Sequence, residues 1–198
     1  MCIRDRARDA QVVMGNHDGA CAGKVDPRTF NDNARLAVRH NISQLGPDDR
    51  RWLAALPLTL DGPHYSMAHG TLDAPELFQY IQSVEDADPS LDLLKQPVCF
   101  VGHTHRPVTF MRLTDLPQRT SYTFSTTIDL ADASHSLVNV GSVGQPRDED
   151  PRAAYAVFDA DEKSVRIERI EYDIEREADR ILRAGLPKML ADRLFLGI

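Results

Sequence analysis

Apolar residues along this chain come in short runs that stop abruptly at strings of Gly, His, Asn and Asp. Residues 10–14 are apolar and rich in Val and end at Gly15, Asn16, His17 and Asp18, which predicts a buried strand running into a polar loop. Residues 65–68 predict a second strand, ending at His69 and Gly70. Residues 97–101 predict a third, ending at Gly102, His103, Thr104 and His105. Residues 107–112 and 137–140 can run as further strands, and residues 154–158 and 165–170 read as a pair around a turn at Asp159, Ala160, Asp161 and Glu162. Helical spacing covers residues 31–40, 47–56, 73–84 and 173–183. Pro47 and Pro75 suit helix starts, Pro57 stops the second helix, and Gly185 and Pro187 stop the last. No repeat, low-complexity tract or Pro-rich linker divides the chain.

Composition narrows the class. With 198 residues, 42% of them hydrophobic, the chain can bury one real core, which rules out wholesale disorder. No apolar run approaches the about 18 residues that a membrane-spanning helix needs. Thirty acidic against 23 basic residues give a net charge of -7, so non-specific gripping of nucleic-acid phosphates is not expected. Cys2, Cys21 and Cys99 form no paired motif. An odd count without a signal peptide points to a reducing compartment, the cytoplasm, with Cys21 and Cys99 as small buried residues.

The chemistry lies in the three strings. Imidazoles and a carboxamide oxygen are metal ligands, and strand ends hold such groups in fixed geometry. On an extended segment residues two apart face one side, so His103 and His105 are expected to face one site or two adjacent ones. Gly15, Gly70 and Gly102 are expected to permit sharp turns and close backbone approach. Each string alone is weak, and His69 alone carries almost nothing. The three in order, each after an apolar strand, carry the argument. His40, His64 and His135 lack such a context and read as surface or structural residues.

Gly-Asn-His-Asp at 15–18, His-Gly at 69–70 and Gly-His-Thr-His at 102–105 resemble the calcineurin-like metallophosphoesterases, within them a compact bacterial branch of phosphodiesterase or diadenosine tetraphosphatase-like proteins. The run 139–148 is similar to that branch's C-terminal loop and residues 185–194 to its closing helix. The resemblance implies an α/β fold, a two-sheet sandwich flanked by helices, with all three loops on one rim. It also implies two divalent metal ions (Mn, Fe, Zn or Ni): Asn16, His69 and His103 would bind one and His105 the other. His17, steered by Asp18, would face the leaving group. The implied reaction is hydrolysis of a phosphomono- or phosphodiester by a metal-bridging hydroxide, on a small phosphate ester or a phosphoprotein. Arg147 is a candidate for holding a substrate phosphate, with a loop salt bridge to Asp148, Glu149 or Asp150 as the other reading.

The superfamily pattern also contains an Asp-x-His and a Gly-Asp motif, and neither precedes residue 15. Residues 1–6 resemble a translated transposon-end adapter. The expectation is therefore that 1–6 are non-native, that 7–198 form a phosphoesterase domain lacking its first strand-helix unit, and that this chain is an inactive fragment of an enzyme. The alternative is a non-catalytic metal-binding or scaffold module with the same fold. A mononuclear zinc hydrolase ranks last, since no helix-borne His-Glu-x-x-His is present.

Overall fold

The computed structural model describes Arg8 and residues 10–198, and the expectations for residues 1–6 lie outside the described residues. Its strands form two sheets. The larger runs in the order β1 (Thr59–Asp61), β2 (Tyr65–Ala68), β3 (Val98–Val101), β7 (Ala133–Asn139), β4 (Val108–Leu113) and β5 (Leu116–Thr123). The smaller runs β6 (Thr127–Asp129), β9 (Ser164–Ile170), β8 (Ala153–Asp159). The helices are α1 (Asn16–Cys21), α2 (Asp32–Gln44), α3 (Pro47–Ala55), α4 (Val84–Leu93), α5 (Ile174–Arg183) and α6 (Lys188–Leu196). This is the expected α/β architecture of two sheets flanked by helices. Among the described residues no helix is long and apolar enough to cross a membrane.

Alternation along the central strands builds two cores. On β3, Val98 and Phe100 face the smaller sheet, where they meet Ile128, Val165 and Ile167, while Cys99 and Val101 face α4 with its Ala87 and Leu91. Strand β7 repeats the pattern, with Val138 toward the second sheet and Leu137 toward the helix. A third cluster, Ala20, Cys21, Val38 and Leu53, joins α1, α2 and α3. Cys21 and Cys99 are buried as expected, and burial pushes the Cys99 thiol up to about 12.

Strand direction places the chemistry. β2, β3 and β7 are mutually parallel neighbours, so the segments after Ala68, Val101 and Asn139 all leave the sheet on one rim. Two main-chain bonds between those segments fix their heights: Gly102 N–H donates to His69 O at 3.0 Å, and Val140 N–H to Val101 O at 3.0 Å.

Three local expectations are corrected. Residues 10–14 belong to no sheet among the described residues. Met14 N–H donates to Pro57 O at 2.7 Å and the Tyr65 hydroxyl to Gln11 Oε1 at 2.8 Å, and a strand exists only where a partner backbone lies alongside. The string after it is not a loop but a helix start: Gly15 is the N-cap of α1, and Asp18 Oδ2 accepts the Gly15 N–H at 2.9 Å. Residues 73–84 do not form one helix. They make a 3-10 turn at Pro75–Leu77, a left-handed residue at Phe78 (φ 49°), and then α4. The decisive element is Ser83, whose Oγ accepts Asp86 N–H while Asp86 Oδ2 accepts Ser83 N–H, a capping box that starts the helix at Val84; Pro89 lies inside the helix. Strands β1, β5 and β6 had no sequence expectation, being short or mostly exposed.

Leu137 is fully buried between the sheet and α4. Leu137→Ala should lower the free energy of unfolding by about 2–5 kcal/mol in urea titration, the cost of lost burial plus a cavity. A loss below about 1 kcal/mol would show that this face is not packed as described.

Candidate active site

The three strings meet. His69 Nε2 lies 3.2 Å from Asn16 Oδ1 and 3.0 Å from His103 Nδ1. Asn16 comes from the first turn of α1, His69 from the end of β2 and His103 from the segment after β3. Two glycines make the approach possible. A Cβ at Gly15 would stand 3.0 Å from the His69 ring, and one at Gly70 would stand 2.5 Å from Gln79 O, where the chain folds back over the rim. Gly102 was expected to do likewise but needs no such freedom, since its nearest neighbour is 3.9 Å away.

The strain sits on the histidines instead. His103 (φ 65°) and His105 (φ 62°) are both left-handed, so the segment is not the extended run expected from its spacing. Such a conformation costs about 1–2 kcal/mol per non-glycine residue. It is held by Asn139, only 1% exposed at the end of β7. Asn139 Nδ2 donates to Gly102 O at 2.6 Å and to Thr104 Oγ1 at 2.8 Å, and Oδ1 accepts Gly141 N–H at 3.0 Å. Every polar atom of that carboxamide is engaged by the loop or its neighbour. Sequence reading noted Asn139 only as part of the similar C-terminal loop, and its clasping role had no local signal.

Hydrogen bonding sets the tautomers. The Gln145 carbonyl, 2.7 Å from His105 Nδ1, can only accept, so Nδ1 carries the hydrogen and Nε2 keeps its lone pair. His103 stacks flat on Tyr80, with ring centroids 3.9 Å apart and 9° between planes, and His69 meets Phe78 edge-on at 6.0 Å. Tyr80 is a second residue that sequence reading missed, because the segment carrying it was assigned to a helix. His17 lies against Phe30 at 4.8 Å, also edge-on.

The imidazoles are held neutral. Burial, then the neighbouring His103, His105 and His17, lowers His69 to about 3. Burial lowers His103 to about 4, partly offset by a hydrogen bond with the Phe78 backbone, and burial with Arg147 lowers His105 to about 4. His17 is lowered by desolvation although one edge faces the open cleft; the Asp18 carboxylate opposes that shift and Arg147 adds to it.

These residues line a cleft of about 520 Å³ that also includes Asp18, Arg147 and Arg193, with a neighbouring hollow of about 380 Å³ walled by Phe30, Leu77 and Phe78. A slightly larger hollow beside Tyr122 and Phe124 contains none of the candidate residues. Arg147 does not make the loop salt bridges offered as its other reading. Asp148 pairs with Arg169, and Asp150 pairs with Arg152 at 2.7 Å and with Arg169 at 3.8 Å. Arg147 Nη2 instead donates to Gln145 Oε1 at 2.9 Å, and its Nε is buried without a partner. His40, His64 and His135 are not part of the cleft.

Among the described residues no three His, Cys, Asp or Glu side chains cluster as a metal site. The donor set is of another kind, two imidazoles and a carboxamide oxygen. Asn16 Oδ1 and His103 Nδ1 both face His69 Nε2, and a single N–H there can satisfy only one of them. Ligands about 2.1 Å from a cation stand about 3.0–3.4 Å apart in octahedral or tetrahedral geometry, which matches the spacing, and neutral rings are the form a cation requires. The residues fit a divalent transition-metal ion.

Residues 2–163 match the calcineurin-like phosphoesterase superfamily domain, and the chain belongs to that superfamily. It is 31% identical over 191 residues to the uncharacterized protein MJ0912 of Methanocaldococcus jannaschii, an alignment covering 93% of this chain and 74% of that protein. Its fold matches a metallophosphoesterase from Sphaerobacter thermophilus with a TM-score of 0.81 and 34% identity, over 94% of this chain and 76% of the other. It also matches hypothetical protein PH1004 of Pyrococcus horikoshii OT3, with a TM-score of 0.74 over 100% of this chain and 77% of that one; at 20% identity this is a likeness of fold.

Two measurements follow. Asn139→Ala should cost about 1–3 kcal/mol in urea unfolding, because it strands buried partners; a cost under about 0.5 kcal/mol would mean the carboxamide does not hold the loop. Stability should also depend on pH. His69, His103 and His105 have folded pKa values of about 3 to 4 against an ordinary 6.5. The unfolded chain therefore binds more protons between those limits, and stability, full above pH 6.5, falls as pH drops toward 4. The urea midpoint in EDTA should decline from pH 7 to 5, less steeply in His103→Asn; a flat profile would contradict the burial of these rings.

Proposed function

We propose that the cleft hydrolyses a phosphomono- or phosphodiester with the help of two divalent cations. The observation that carries this is that His69 Nε2 lies 3.2 Å from Asn16 Oδ1 and 3.0 Å from His103 Nδ1, in a chain belonging to a phosphoesterase superfamily. The similar protein from Sphaerobacter thermophilus, described as a metallophosphoesterase, supports it.

In this reading Asn16, His69 and His103 hold one cation, and His105, through its free Nε2, reaches toward the other. The cations, when bound, supply charge neutralisation at the phosphoryl oxygens and an activated water, and Mn, Fe, Zn or Ni would suit the mixed nitrogen and oxygen donors. Arg147 presents its guanidinium to the same oxygens, with Gln145 steadying the fork. His17, on the open side of the cleft, donates a proton or a hydrogen bond to the departing oxygen, and the Asp18 charge favours its protonated form against desolvation. Asp18 also caps α1 through Gly15 N–H, which holds Asn16 and His17 in place.

A second reading is a metal-binding module without turnover, with the same fold. Metal binding and turnover separate the two. Titrating the chain with Mn²⁺ should show binding that weakens by more than about 10-fold in His69→Ala and His103→Ala. In a form that also carries the Asp-x-His and Gly-Asp segments, His17→Ala should retain its metal while hydrolysis of bis(p-nitrophenyl) phosphate falls by about 10²-fold. Full turnover in His17→Ala would remove its role, metal binding without turnover would favour the second reading, and unchanged Mn²⁺ binding in both histidine variants would displace the site.

A further inference from the structure

Tyr80 is an aromatic residue that no hydrophobic core contains. Its side chain is 47% exposed, and among the described residues its hydroxyl has no hydrogen-bond partner. Its ring nevertheless lies flat against His103, with 3.9 Å between centroids and 9° between planes, and His103 itself is buried. A half-open tyrosine thus covers a closed imidazole, at a position that lines both the cleft and the neighbouring hollow.

Rigid neighbours on either side hold the tyrosine there. One residue earlier, Gln79 O stands so near Gly70 that a Cβ on that glycine would lie 2.5 Å from it. One residue later, Ile81 is buried in the core cluster that contains Ala68, Leu91 and Leu137. Phe78, left-handed at φ 49°, turns the chain into this place and meets the His69 ring edge-on at 6.0 Å. A backbone clamp before Tyr80 and a core anchor after it leave the residue little freedom, so the stack is pre-organised by tertiary packing.

The stack has a consequence for His103 as a ligand. An imidazole lone pair lies in the plane of its ring, so fixing the plane fixes the line along which a cation is held. The His69 ring is inclined to His103 at 53°, with 4.7 Å between centroids, and the flat contact is the one with Tyr80. A cation on the imidazole also draws electron density from it, which makes the electron-rich face of a tyrosine a better neighbour. Stack and cation then favour each other. We propose that Tyr80 is a positioning residue of the cation site: through the flat stack it holds the His103 ring in the plane that directs Nδ1 toward His69 Nε2, 3.0 Å away, and thereby raises the affinity of the site for a divalent cation.

The inference rests on the cation-site reading of the cleft, and two measurements keep the two apart. In metal-free protein in EDTA, proton NMR should find the His103 ring protons, assigned by their disappearance in His103→Asn, upfield of ordinary imidazole positions. That displacement should persist in Tyr80→Phe and vanish in Tyr80→Leu, because only an aromatic face supplies the ring current. Calorimetric titration with Mn²⁺ should give an affinity about 3- to 10-fold weaker in Tyr80→Leu and within about twofold of the unaltered chain in Tyr80→Phe, the scale of one aromatic pair. The urea midpoints of both variants should stay close to that of the unaltered chain, since so exposed a side chain adds little to any core. Absence of the upfield displacement in the unaltered chain, unchanged Mn²⁺ affinity in Tyr80→Leu, or a Tyr80→Phe as weak as Tyr80→Leu would each overturn the proposal. A collapse of the urea midpoint in Tyr80→Leu would do so too, by making the residue a structural one. Failure of the cation-site reading has a different signature: Mn²⁺ binding unchanged in His69→Ala and His103→Ala, with the Tyr80-dependent displacement still present.

Discussion

The Asn139 carboxamide holds the segment between β3 and β4 in a shape that its own residues disfavour. Two histidines with positive φ, separated by one threonine, would relax if the bonds to Gly102 O and Thr104 Oγ1 were removed. Because Asn139 ends β7, the neighbour of β3, the clasp transmits the rigidity of the sheet directly to His103 and His105. Strain of this kind persists only where surrounding structure over-determines it, and here it aims two imidazoles that an extended segment would have set differently.

Around that clasp the site is assembled by the parallel arrangement of three strands. Parallel neighbours deliver their carboxyl ends to the same rim, so His69, His103 and the loop containing Gln145 and Arg147 become adjacent without any local sequence relation. Helix α1 then brings Asn16 in from the side, over a glycine that leaves room for the His69 ring. The chain belongs to the calcineurin-like phosphoesterase superfamily, and its Asn16, His69, His103, His105 and Arg147 gather at this rim.

Burial has an electrostatic consequence here. A half-buried histidine cluster cannot readily carry several charges, so the rings are pushed to their neutral form, which is the form with lone pairs to donate. Two arginines, Arg147 and Arg193, line the same cleft as these rings.

Much of this was legible in the sequence. Short apolar runs ending at turn residues located β2, β3, β4, β7, β8 and β9, helix signals located α2, α3 and α5, and the ordered strings Gly15 to Asp18, His69-Gly70 and Gly102 to His105 pointed to the residues that meet. These features are local, so side-chain pattern and turn chemistry suffice to reveal them. Where the sequence misled, the deciding force came from elsewhere in the chain. Residues 10–14 have strand character but no pairing partner among the described residues, and residues 73–84 carry helical spacing that the Ser83 capping box and the fold-back over Gly70 override. The left-handed histidines, the Asn139 clasp and the Tyr80 stack depend on residues tens of positions apart. Such contacts exist only once the strands have chosen their order and direction, because only then are these side chains neighbours.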